Sequence, residues 1–209
     1  GTVENSLTIL SGGFVETLDG GSIANCAAVG GTVLTYDEAG GFATQVLGGS
    51  IKNCYTRDVN VRGGGGCGGF VGNNSGGAIS YCYVYGGNIS ASLACGGFAG
   101  NNENEGIIEN CGVRGAEIIC RYQIGAFVGL NYAKIQNVFA DNSEVAAFAG
   151  IDDGISSNIS LSSDGGVMRT EFIKTASTNL IVNDTTIYIP TDRPTTQNVL
   201  ADIDGHWAE

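Results

Sequence analysis

Cysteine and histidine are the side chains of this sequence best suited to nucleophilic or metal chemistry. The 209 residues include seven cysteines and one histidine, His206, and no two cysteines have C-x-x-C spacing. A Ser–His–Asp or Cys–His arrangement would have to use His206, which lies close to the C-terminal end. The odd number of cysteines and the lack of a nearby histidine also argue against a metal site. We therefore expect no catalytic residue, no cofactor and no metal ligand.

A carbohydrate-active enzyme is the one catalytic alternative that the charged residues leave open. The repeat described below predicts a parallel β-helical fold. Some enzymes with this fold are polysaccharide lyases or glycosidases that carry carboxylates and basic residues on one lateral face. The residues that could share such a face here are Arg57, Asp58, Arg62 and Arg114. Glycoside hydrolysis needs two carboxyl groups roughly 5–9 Å apart in a groove, and the sequence places no two acids in register. The chain is therefore predicted not to be an enzyme.

Two other short motifs have simpler structural interpretations. Residues 63–66 are four glycines that could be mistaken for a phosphate-binding loop, but the G-K-[ST] ending is missing, so a flexible corner is expected. Asp152 and Asp153 could bind a cation or form a solvated turn. The turn is the simpler alternative.

An internal repeat of about 28 residues explains the positions of the cysteines. Two small residues precede a phenylalanine six times, and consecutive phenylalanines are 28 or 29 residues apart, except for the last pair, which is 21 apart. An Ile-x-Asn-Cys motif and a β-branched residue recur with the same period. The phenylalanine column is Phe14, Phe42, Phe70, Phe98, Phe127 and Phe148; the cysteine column is Cys26, Cys54, Cys82 and Cys111; the β-branched column is Val33, Val61, Ile89, Ile118 and Val145.

The repeat predicts an all-β fold, a parallel β-solenoid. Each unit holds three short apolar segments rich in Val, Ile, Phe and Tyr, separated by Gly, Asn and acidic residues, and none keeps the period of a helix. Three short strands and three turns would complete one triangular coil, with each strand pairing in parallel with its equivalent in the next coil. Five to six coils would form a rod on the order of 25–30 Å long. Glycine before each phenylalanine is expected at a tight corner or a close backbone approach.

Stacked coils place equivalent residues on top of one another, so the repeated residues are expected to form ladders. The cysteine column is predicted to be an interior ladder of reduced thiols, with disulfides between neighbouring coils as the alternative. Cys67 and Cys95 would form a shorter ladder, and Cys120 has no partner in register. Stacked asparagines are expected to hydrogen-bond along the rod. The two asparagine columns are Asn25, Asn53, Asn110 and Asn137, and Asn74, Asn102 and Asn131.

The composition argues against two kinds of partner. Nine basic and 21 acidic residues give a net charge of −12, which repels phosphate backbones, so no nucleic acid is expected. No apolar run approaches the roughly 20 residues of a membrane-spanning helix, so no membrane insertion is expected. Hydrophobic residues are 43% of the chain and charged residues 14%, the opposite of a disordered composition. The chain is therefore expected to fold.

The repeat weakens after Phe148, which divides the chain into three predicted regions. These are a β-solenoid over residues 1–150, a last irregular coil with a small cap over residues 151–190, and a linker with the start of another domain over residues 191–209. The cap is expected to be an amphipathic helix over residues 166–176 or a strand over residues 179–190. A cap is expected because an open solenoid end templates aggregation.

The clearest repeat units carry a recognisable sequence pattern. Residues 68–72 read GGFVG, and residues 49–55 read GSIKNCY. These units resemble the GLUG family of bacterial surface proteins, whose units have the form G-G-hydrophobic-V-G followed by G-x-I-x-N-C-Y. The resemblance covers about residues 12–150, although Glu16 and Thr44 replace the second glycine in the first two coils. It implies an accessory repeat module of a large extracellular protein.

A second motif lies at the C-terminal end. Residues 202–208 read DIDGHWA and resemble the opening of an S-layer homology domain, which typically begins D-hydrophobic-x-G-H-W-A. Such domains bind secondary cell-wall polysaccharide, so this partner is expected through the missing remainder of that domain. The resemblance implies an extracellular location on a bacterial cell surface, associated with the cell wall or S-layer. Because Gly1 opens the chain without Met, we expect a fragment of a longer protein.

Two non-enzymatic functions are expected from these features. The solenoid is either a stalk that projects something from the wall, or an adhesin whose lateral face binds a glycan or a host or matrix protein. Exposed aromatic residues favour the adhesin, whereas their lack of one clean column favours the stalk. The tyrosines in question are Tyr36, Tyr55, Tyr83, Tyr85, Tyr122 and Tyr132.

Overall fold

The computed structural model describes residues 2–5, 10–141, 145, 147–162 and 168–169. Within these ranges the chain forms strands, turns and bends but no helix, and so no helix that could cross a membrane. The strands are β1 (Thr2–Asn5), β2 (Leu10–Gly12), β3 (Val15–Ala24), β4 (Ala27–Val29), β5 (Thr32–Thr35), β6 (Glu38–Gly40), β7 (Ala43–Lys52), β8 (Tyr55–Arg57), β9 (Asn60–Arg62), β10 (Gly66–Gly68), β11 (Val71–Asn74), β12 (Ala78–Ser80), β13 (Tyr83–Tyr85), β14 (Asn88–Ala91), β15 (Ala94–Gly96), β16 (Ala99–Asn102), β17 (Ile107–Glu109), β18 (Gly112–Arg114), β19 (Glu117–Cys120), β20 (Gln123–Gly125), β21 (Val128–Asn131), β22 (Lys134–Asp141), β23 (Ala149–Asp152), β24 (Ile155–Ser162) and β25 (Met168–Arg169).

The strands belong to three hydrogen-bonded sheets that run along the solenoid. Sheet 1 contains β1, β5, β9, β14 and β19, and sheet 2 contains β2, β6, β10, β15 and β20. Sheet 3 contains the other 15 strands, because each coil contributes more than one short segment to it. Equivalent residues of neighbouring coils pair in parallel, as Val33 does with Val61 and Ile89 with Ile118. The predicted parallel β-solenoid with about 28 residues per coil is confirmed. A coil such as residues 66–91 carries five short strands where three were predicted: β10 in sheet 2, β11, β12 and β13 in sheet 3, and β14 in sheet 1.

The interior is filled by ladders of identical or similar side chains. The rings of the phenylalanine column stack nearly parallel, with centroids 4.7–4.9 Å apart from Phe14 to Phe127 and 5.6 Å apart between Phe127 and Phe148. This spacing equals the distance between adjacent strands of a sheet, so in-register pairing sets the stack. The four central rings are fully buried, whereas Phe14 is 50% exposed. A parallel ladder of isoleucines, Ile51, Ile79, Ile108 and Ile135, is also fully buried.

The glycines before the phenylalanine column allow the backbones of sheets 2 and 3 to approach closely. A Cβ atom on Gly68 would overlap the carbonyl oxygens of Val71 and Phe98. The φ angle of Gly68 is not in the left-handed region, so the missing side chain, and not backbone freedom, is what the fold uses here. Both expectations for these glycines hold, because Gly69 and Phe70 form the bend that links sheet 2 to sheet 3, and Gly68 lies at a close backbone approach.

The asparagine of the Ile-x-Asn-Cys motif forms a corner in the left-handed backbone region. Asn25, Asn53, Asn110 and Asn137 have φ angles between 53° and 57°. Asparagine adopts this conformation more readily than most side chains, because its short amide can hydrogen-bond locally. Tyr81 occupies the same position in its coil with φ 57°. The asparagine of the motif therefore sets the backbone conformation of the corner and also supplies the stacked amides.

The C-terminal part of the described chain continues the stacking with a shorter coil. Strand β24 pairs in parallel with β22 from Lys134–Ile155 to Asp141–Ser162. The two residues of β25 then pair antiparallel with the end of β24, where the sequence favoured a helix over residues 166–176. The rest of that predicted helix, the predicted strand over residues 179–190 and the region 191–209 lie outside the described residues.

Candidate functional site

The cysteine column forms the predicted ladder, with free thiols in the structure. Each column thiol is placed against the neighbouring coil: the backbone N–H of Cys26 donates to Cys54 Sγ, and that of Cys82 to Cys111 Sγ, both at 3.4 Å. Cys54, Cys82 and Cys111 are buried. Burial raises the pKa of the Cys82 thiol well above its ordinary value, which disfavours the nucleophilic thiolate. These thiols are packing residues.

A second group of thiols lies beside sheet 2. Cys67 and Cys95 pair in register, as predicted, and burial raises the pKa of Cys67 to about 12. Cys120 is aligned with Ala91, so it has no cysteine partner in register. Its thiol donates to the carbonyl oxygen of Gln123 at 3.3 Å, and it lies close enough to Cys95 to contribute to the raised pKa of that thiol, a proximity that the repeat did not predict. The side chain of Cys120 reaches across the corner between sheets 1 and 2, and sequence spacing alone does not show this.

Both predicted asparagine ladders are present. In the buried one, Asn74 Nδ2 donates to Asn102 Oδ1 at 2.9 Å, and Asn102 Nδ2 donates to Asn131 Oδ1 at 2.8 Å. Asp152 ends this ladder, because its Oδ1 accepts hydrogen bonds from Asn131 Nδ2 at 2.8 Å and Ser156 Oγ at 2.9 Å. Asp152 is thus part of the structural ladder, which favours the turn interpretation of Asp152 and Asp153 over a cation site.

The other asparagine ladder is interrupted once and continues further than the repeat suggested. Asn53 Nδ2 donates to Asn25 Oδ1 at 3.3 Å, and Asn137 Nδ2 donates to Asn110 Oδ1 at 3.3 Å. Where Tyr81 replaces asparagine, its hydroxyl accepts a hydrogen bond from Asn110 Nδ2 at 2.9 Å. Asn158 adds one more rung on Asn137.

The basic residues considered for a lateral catalytic face are divided between two sheets. Arg57 and Arg114 share a column of sheet 3, as predicted, with Tyr85 between them. Arg62 belongs to β9 in sheet 1, and Asp58 lies in the left-handed corner between the two sheets. The four residues do not share a single face of one sheet.

The exposed tyrosines lie at two different corners. Tyr36 and Tyr122 are 76% and 57% exposed and lie between sheets 1 and 2, three coils apart. Tyr132 is 48% exposed and lies between β21 and β22 in sheet 3. Tyr55 and Tyr83 are buried in a small cluster with Phe139. No three exposed tyrosines of the described chain form one column.

The four glycines at residues 63–66 form a corner that is bonded to the preceding coil. The N–H groups of Gly64 and Gly65 both donate to the carbonyl oxygen of Asp37 at 3.0 Å. A Cβ on Gly65 would overlap the Asp37 carboxylate. Two of the N–H groups that a phosphate-binding loop would need therefore already donate to a backbone carbonyl oxygen.

A group of carboxylates and amides that the sequence analysis did not connect lies where sheets 2 and 3 meet. We call Glu38, Gln45, Asn73, Asn101 and Glu103 the carboxylate–amide cluster. Glu38 begins β6, and the three amides occupy equivalent positions in β7, β11 and β16. Glu103 follows the last residue of β16. The cluster therefore spans three neighbouring coils.

Two side-chain hydrogen bonds join members of this cluster in separate pairs. Gln45 Nε2 donates to Glu38 Oε2 at 2.9 Å, and Asn73 Nδ2 donates to Glu103 Oε1 at 2.9 Å. Burial raises the pKa of Glu38, the amides of Gln45 and Asn73 oppose that shift, and the negative charges of Asp37 and Glu103 add to it. The Oδ1 atoms of Asn73 and Asn101 are buried and accept no hydrogen bond from the described residues.

Three of the five members of this cluster had a signal in the sequence. Gln45, Asn73 and Asn101 each lie three residues after a residue of the phenylalanine column, so their stacking follows from the repeat. Glu38 and Glu103 are at non-equivalent positions two coils apart, and no periodicity relates them. Within the described ranges, no three His, Cys, Asp or Glu side chains are grouped so as to hold a metal ion. Any ion here would need amide oxygens in addition to the two carboxylates.

The two family resemblances depend on motifs that the structure covers unequally. The GLUG-like units lie inside the described solenoid, whereas residues 202–208, with the S-layer homology motif, lie outside the described residues. Both resemblances stay predictions from sequence. Comparison of the chain with protein-family models, curated proteins and solved structures finds no match.

Proposed function

We propose that this chain is an extracellular structural module of a bacterial cell-surface protein and acts as a stalk. The observation that carries the proposal is the uninterrupted phenylalanine stack, which runs through six coils with ring centroids 4.7–5.6 Å apart. A side-chain ladder at strand spacing gives a rod of fixed length and few degrees of freedom. Such a rod suits a spacer between a wall anchor and a distal domain.

The adhesin alternative has less support from the surface. Binding modules for glycans and proteins commonly present aromatic side chains together, because rigid rings supply contact area at low entropic cost. Here Tyr36, Tyr122 and Tyr132 are divided between two corners, and Tyr55 and Tyr83 are buried. The scattered arrangement favours a stalk over a lateral binding face.

A carbohydrate-active enzyme has still less support. Burial raises the pKa of the Cys67 and Cys82 thiols, a hydrogen bond with Cys82 lowers that of Cys54, and all three lie inside the core. The basic residues considered for a lateral face belong to different sheets. Glu38 and Glu103 each already accept a hydrogen bond from an amide of this chain, from Gln45 and Asn73 respectively. The extracellular location rests on the two sequence motifs, and cell-wall polysaccharide would be bound by a domain that continues from residues 202–208.

The first test compares binding by the full 209-residue chain with binding by variants at the exposed tyrosines. The chain is applied to glycan and extracellular-matrix-protein arrays at near-physiological salt, beside Tyr122→Ala and Tyr132→Ala. A stalk gives no saturable signal. A saturable signal that either variant abolishes, while the buried variant Cys82→Ala keeps it, would replace the stalk by an adhesin.

The second test concerns location. Antibodies raised against the solenoid are applied to intact and to permeabilised cells of the source bacterium. Labelling of intact cells is expected. Labelling that requires permeabilisation would contradict an extracellular module, whatever the array shows.

A further inference from the structure

Tyr55 and Tyr83 point away from the interior of the solenoid, although both are buried. The residues that follow them in β8 and β13 are Thr56 and Val84, and these point inward. Thr56 Oγ1 donates to the carbonyl oxygen of Gly69 at 3.0 Å, and a Cβ on Gly69 would overlap the Val84 side chain. Successive side chains of a strand point to opposite faces. Tyr55 and Tyr83 therefore lie on the outer face of sheet 3.

Phe139 belongs to the same outward-facing column. Its position in β22 is aligned with Gly112 of β18, which in turn is aligned with Tyr83, and Tyr83 with Tyr55. The Phe139 ring extends over Gly112, because a Cβ on that glycine would overlap ring atoms, and its centroid is 6.0 Å from that of Tyr83. These aromatic side chains form a cluster separate from the interior one. We call Tyr55, Tyr83 and Phe139 the outer aromatic column.

The outer aromatic column is more deeply buried than its place on the wall explains. Tyr55, Tyr83 and Phe139 are 3%, 2% and 7% exposed. Arg62 and Arg114 also have an aligned residue in the coil on each side, and both are exposed. Among the described strands, β8 and β13 pair only with each other and with β4 and β18, in the plane of the sheet. Pairing in the plane leaves the outer face open, so a further layer is needed to account for this burial.

We propose that the outer aromatic column is the docking surface for residues 179–190 of this same chain, which lie outside the described residues. This segment reads NLIVNDTTIYIP, so it contains two runs of three apolar residues. No other stretch of this length in residues 170–209 contains two such runs. Packing aliphatic side chains on aromatic rings removes apolar surface of both from water, which is favourable. In this arrangement the segment covers the lateral wall and not the open end of the solenoid.

The end of β25 lies within reach of the column. In sheet 3, β25 is separated from β8 by β24, β22, β18 and β13. Five strand spacings correspond to about 24 Å. The linking residues 170–178 can span up to about 30 Å when extended. Residues 179–190 can therefore reach every member of the column.

The charges beside the column agree with this occupant. Arg57 and Arg114 lie two residues after the column positions of β8 and β18, on the same outer face. The charged residue of the segment is Asp184, and its charge is negative. Opposite charges attract, whereas the net charge of −12 makes most of the surface unfavourable for an acidic group.

The docked segment would also connect coils that otherwise contact only their neighbours. The strands β8, β13, β18 and β22 belong to four successive coils. The stability of a solenoid is approximately a sum over neighbouring repeats, so a segment that lies across several coils adds a longer-range link. The proposal does not depend on the stalk function.

The test is hydroxyl-radical footprinting of the full chain with mass spectrometry, which measures the solvent access of single side chains. In the wild type, Tyr55 and Tyr83 should be modified at least about tenfold more slowly than Tyr132, because they are 3% and 2% exposed and Tyr132 is 48% exposed. Ile187→Asp places a carboxylate in the second apolar run of the segment. Burying that charge against aromatic rings is strongly unfavourable, so modification of both tyrosines should rise at least about fivefold.

Thr186→Asp is the matched control. It adds the same charge one residue away, at a polar position, and neighbouring residues of an extended segment point to opposite sides. The two column tyrosines should stay protected in this variant. Phe70 and Phe98 are fully buried in the interior and should stay unmodified in every variant, which shows that the solenoid is folded. An equal rise in the two aspartate variants would show a general effect of charge and overturn the proposal.

Three further results would overturn it. Wild-type Tyr55 and Tyr83 that are modified as fast as Tyr132 would mean that this chain does not cover the column. Protection that is lost on dilution of the wild type would mean that a second copy covers it. Protection that persists in Ile187→Asp and in the double variant Leu180→Asp/Ile187→Asp would mean that another part of the chain does. If the charged variants also expose the interior phenylalanines, the uncharged variant Ile187→Asn decides.

Discussion

The interior columns and the carboxylate–amide cluster differ in how their residues repeat. The phenylalanine column keeps one residue type through six coils, and each ring stacks on an equivalent ring. In the cluster, the position of Glu38 is held by Gly66, Ala94 and Gln123 in the following coils. The same interior residue type therefore recurs in successive coils, whereas the residues of the cluster occur together at one place in the described coils.

Interior and lateral positions of a coil are under different constraints. An interior position must fill the same volume in every coil, so its residue type is constrained by the coil below and above. A lateral position faces partly to solvent and can vary without breaking the stack. The two regions should therefore respond differently to substitution.

The largest expected effect is in the centre of the phenylalanine column. Phe70→Ala removes a fully buried ring that stacks on both sides, and should lower the free energy of unfolding by about 3–5 kcal/mol. Phe14→Ala is the matched control, since Phe14 is 50% exposed and stacks on one described ring. The decrease in the free energy of unfolding of Phe14→Ala should be less than half of the decrease in Phe70→Ala. Urea unfolding followed by circular dichroism measures both, and equal losses would contradict a continuous interior stack.

A similar contrast applies to glycine. Gly68→Ala should cost about 3 kcal/mol, at the upper end for overpacking, because the new Cβ overlaps the carbonyl oxygens of Val71 and Phe98. At Gly48 the nearest atom to a new Cβ is 3.6 Å away, so Gly48→Ala should be neutral or slightly stabilising. Chemical denaturation of the two variants checks this. A tolerated Gly68→Ala would show that sheets 2 and 3 do not approach as described.

The sequence was sufficient to predict these interior features. The 28-residue period relates residues that pair across coils, so the phenylalanine, cysteine and asparagine ladders follow from counting. The period does not reveal backbone conformation, which is why the left-handed corner of the Asn column was not expected. Tyr81 illustrates this limit: it breaks the Asn pattern in sequence but keeps φ at 57°, and its hydroxyl accepts the bond from Asn110.

The buried asparagine ladder should be the next most sensitive element. Asn102→Ala removes the bonds to Asn74 and Asn131 and leaves buried polar atoms unpaired, at a cost of about 2 kcal/mol. Asn88→Ala removes a comparable 2.9 Å amide bond, to Asn60, at an exposed position. Its effect should stay within about 0.5 kcal/mol. Similar losses in the two variants, measured by denaturant midpoint, would mean that burial does not set the strength of these ladders.

The sequence did not predict the carboxylate–amide cluster. The requirement that two acids be in register excluded Glu38 and Glu103, because one precedes the phenylalanine column residue of its coil and the other follows it. Asn73, in the coil between them, donates to Glu103, and the negative charge of Glu103 contributes to the raised pKa of Glu38. Only the chain path around a coil, which no periodic pattern specifies, brings such positions together. Cys120 and Cys95 were missed for the same reason.

The smallest expected effect is a pH dependence that belongs to Glu38. Its pKa in the folded chain is raised above the ordinary value of 4.5, chiefly by burial. The folded state therefore holds this proton more tightly than the unfolded state. The resulting stability is fully present below pH 4.5 and is lost as the pH rises through the folded pKa. Glu38→Gln cannot titrate, so the stability of the wild type relative to this variant should fall with rising pH.

The measurement is urea unfolding of wild type and Glu38→Gln between pH 4 and pH 7. The difference between the two chains cancels the titration of all other groups that they share. A difference that is flat with pH would contradict the partly buried carboxyl.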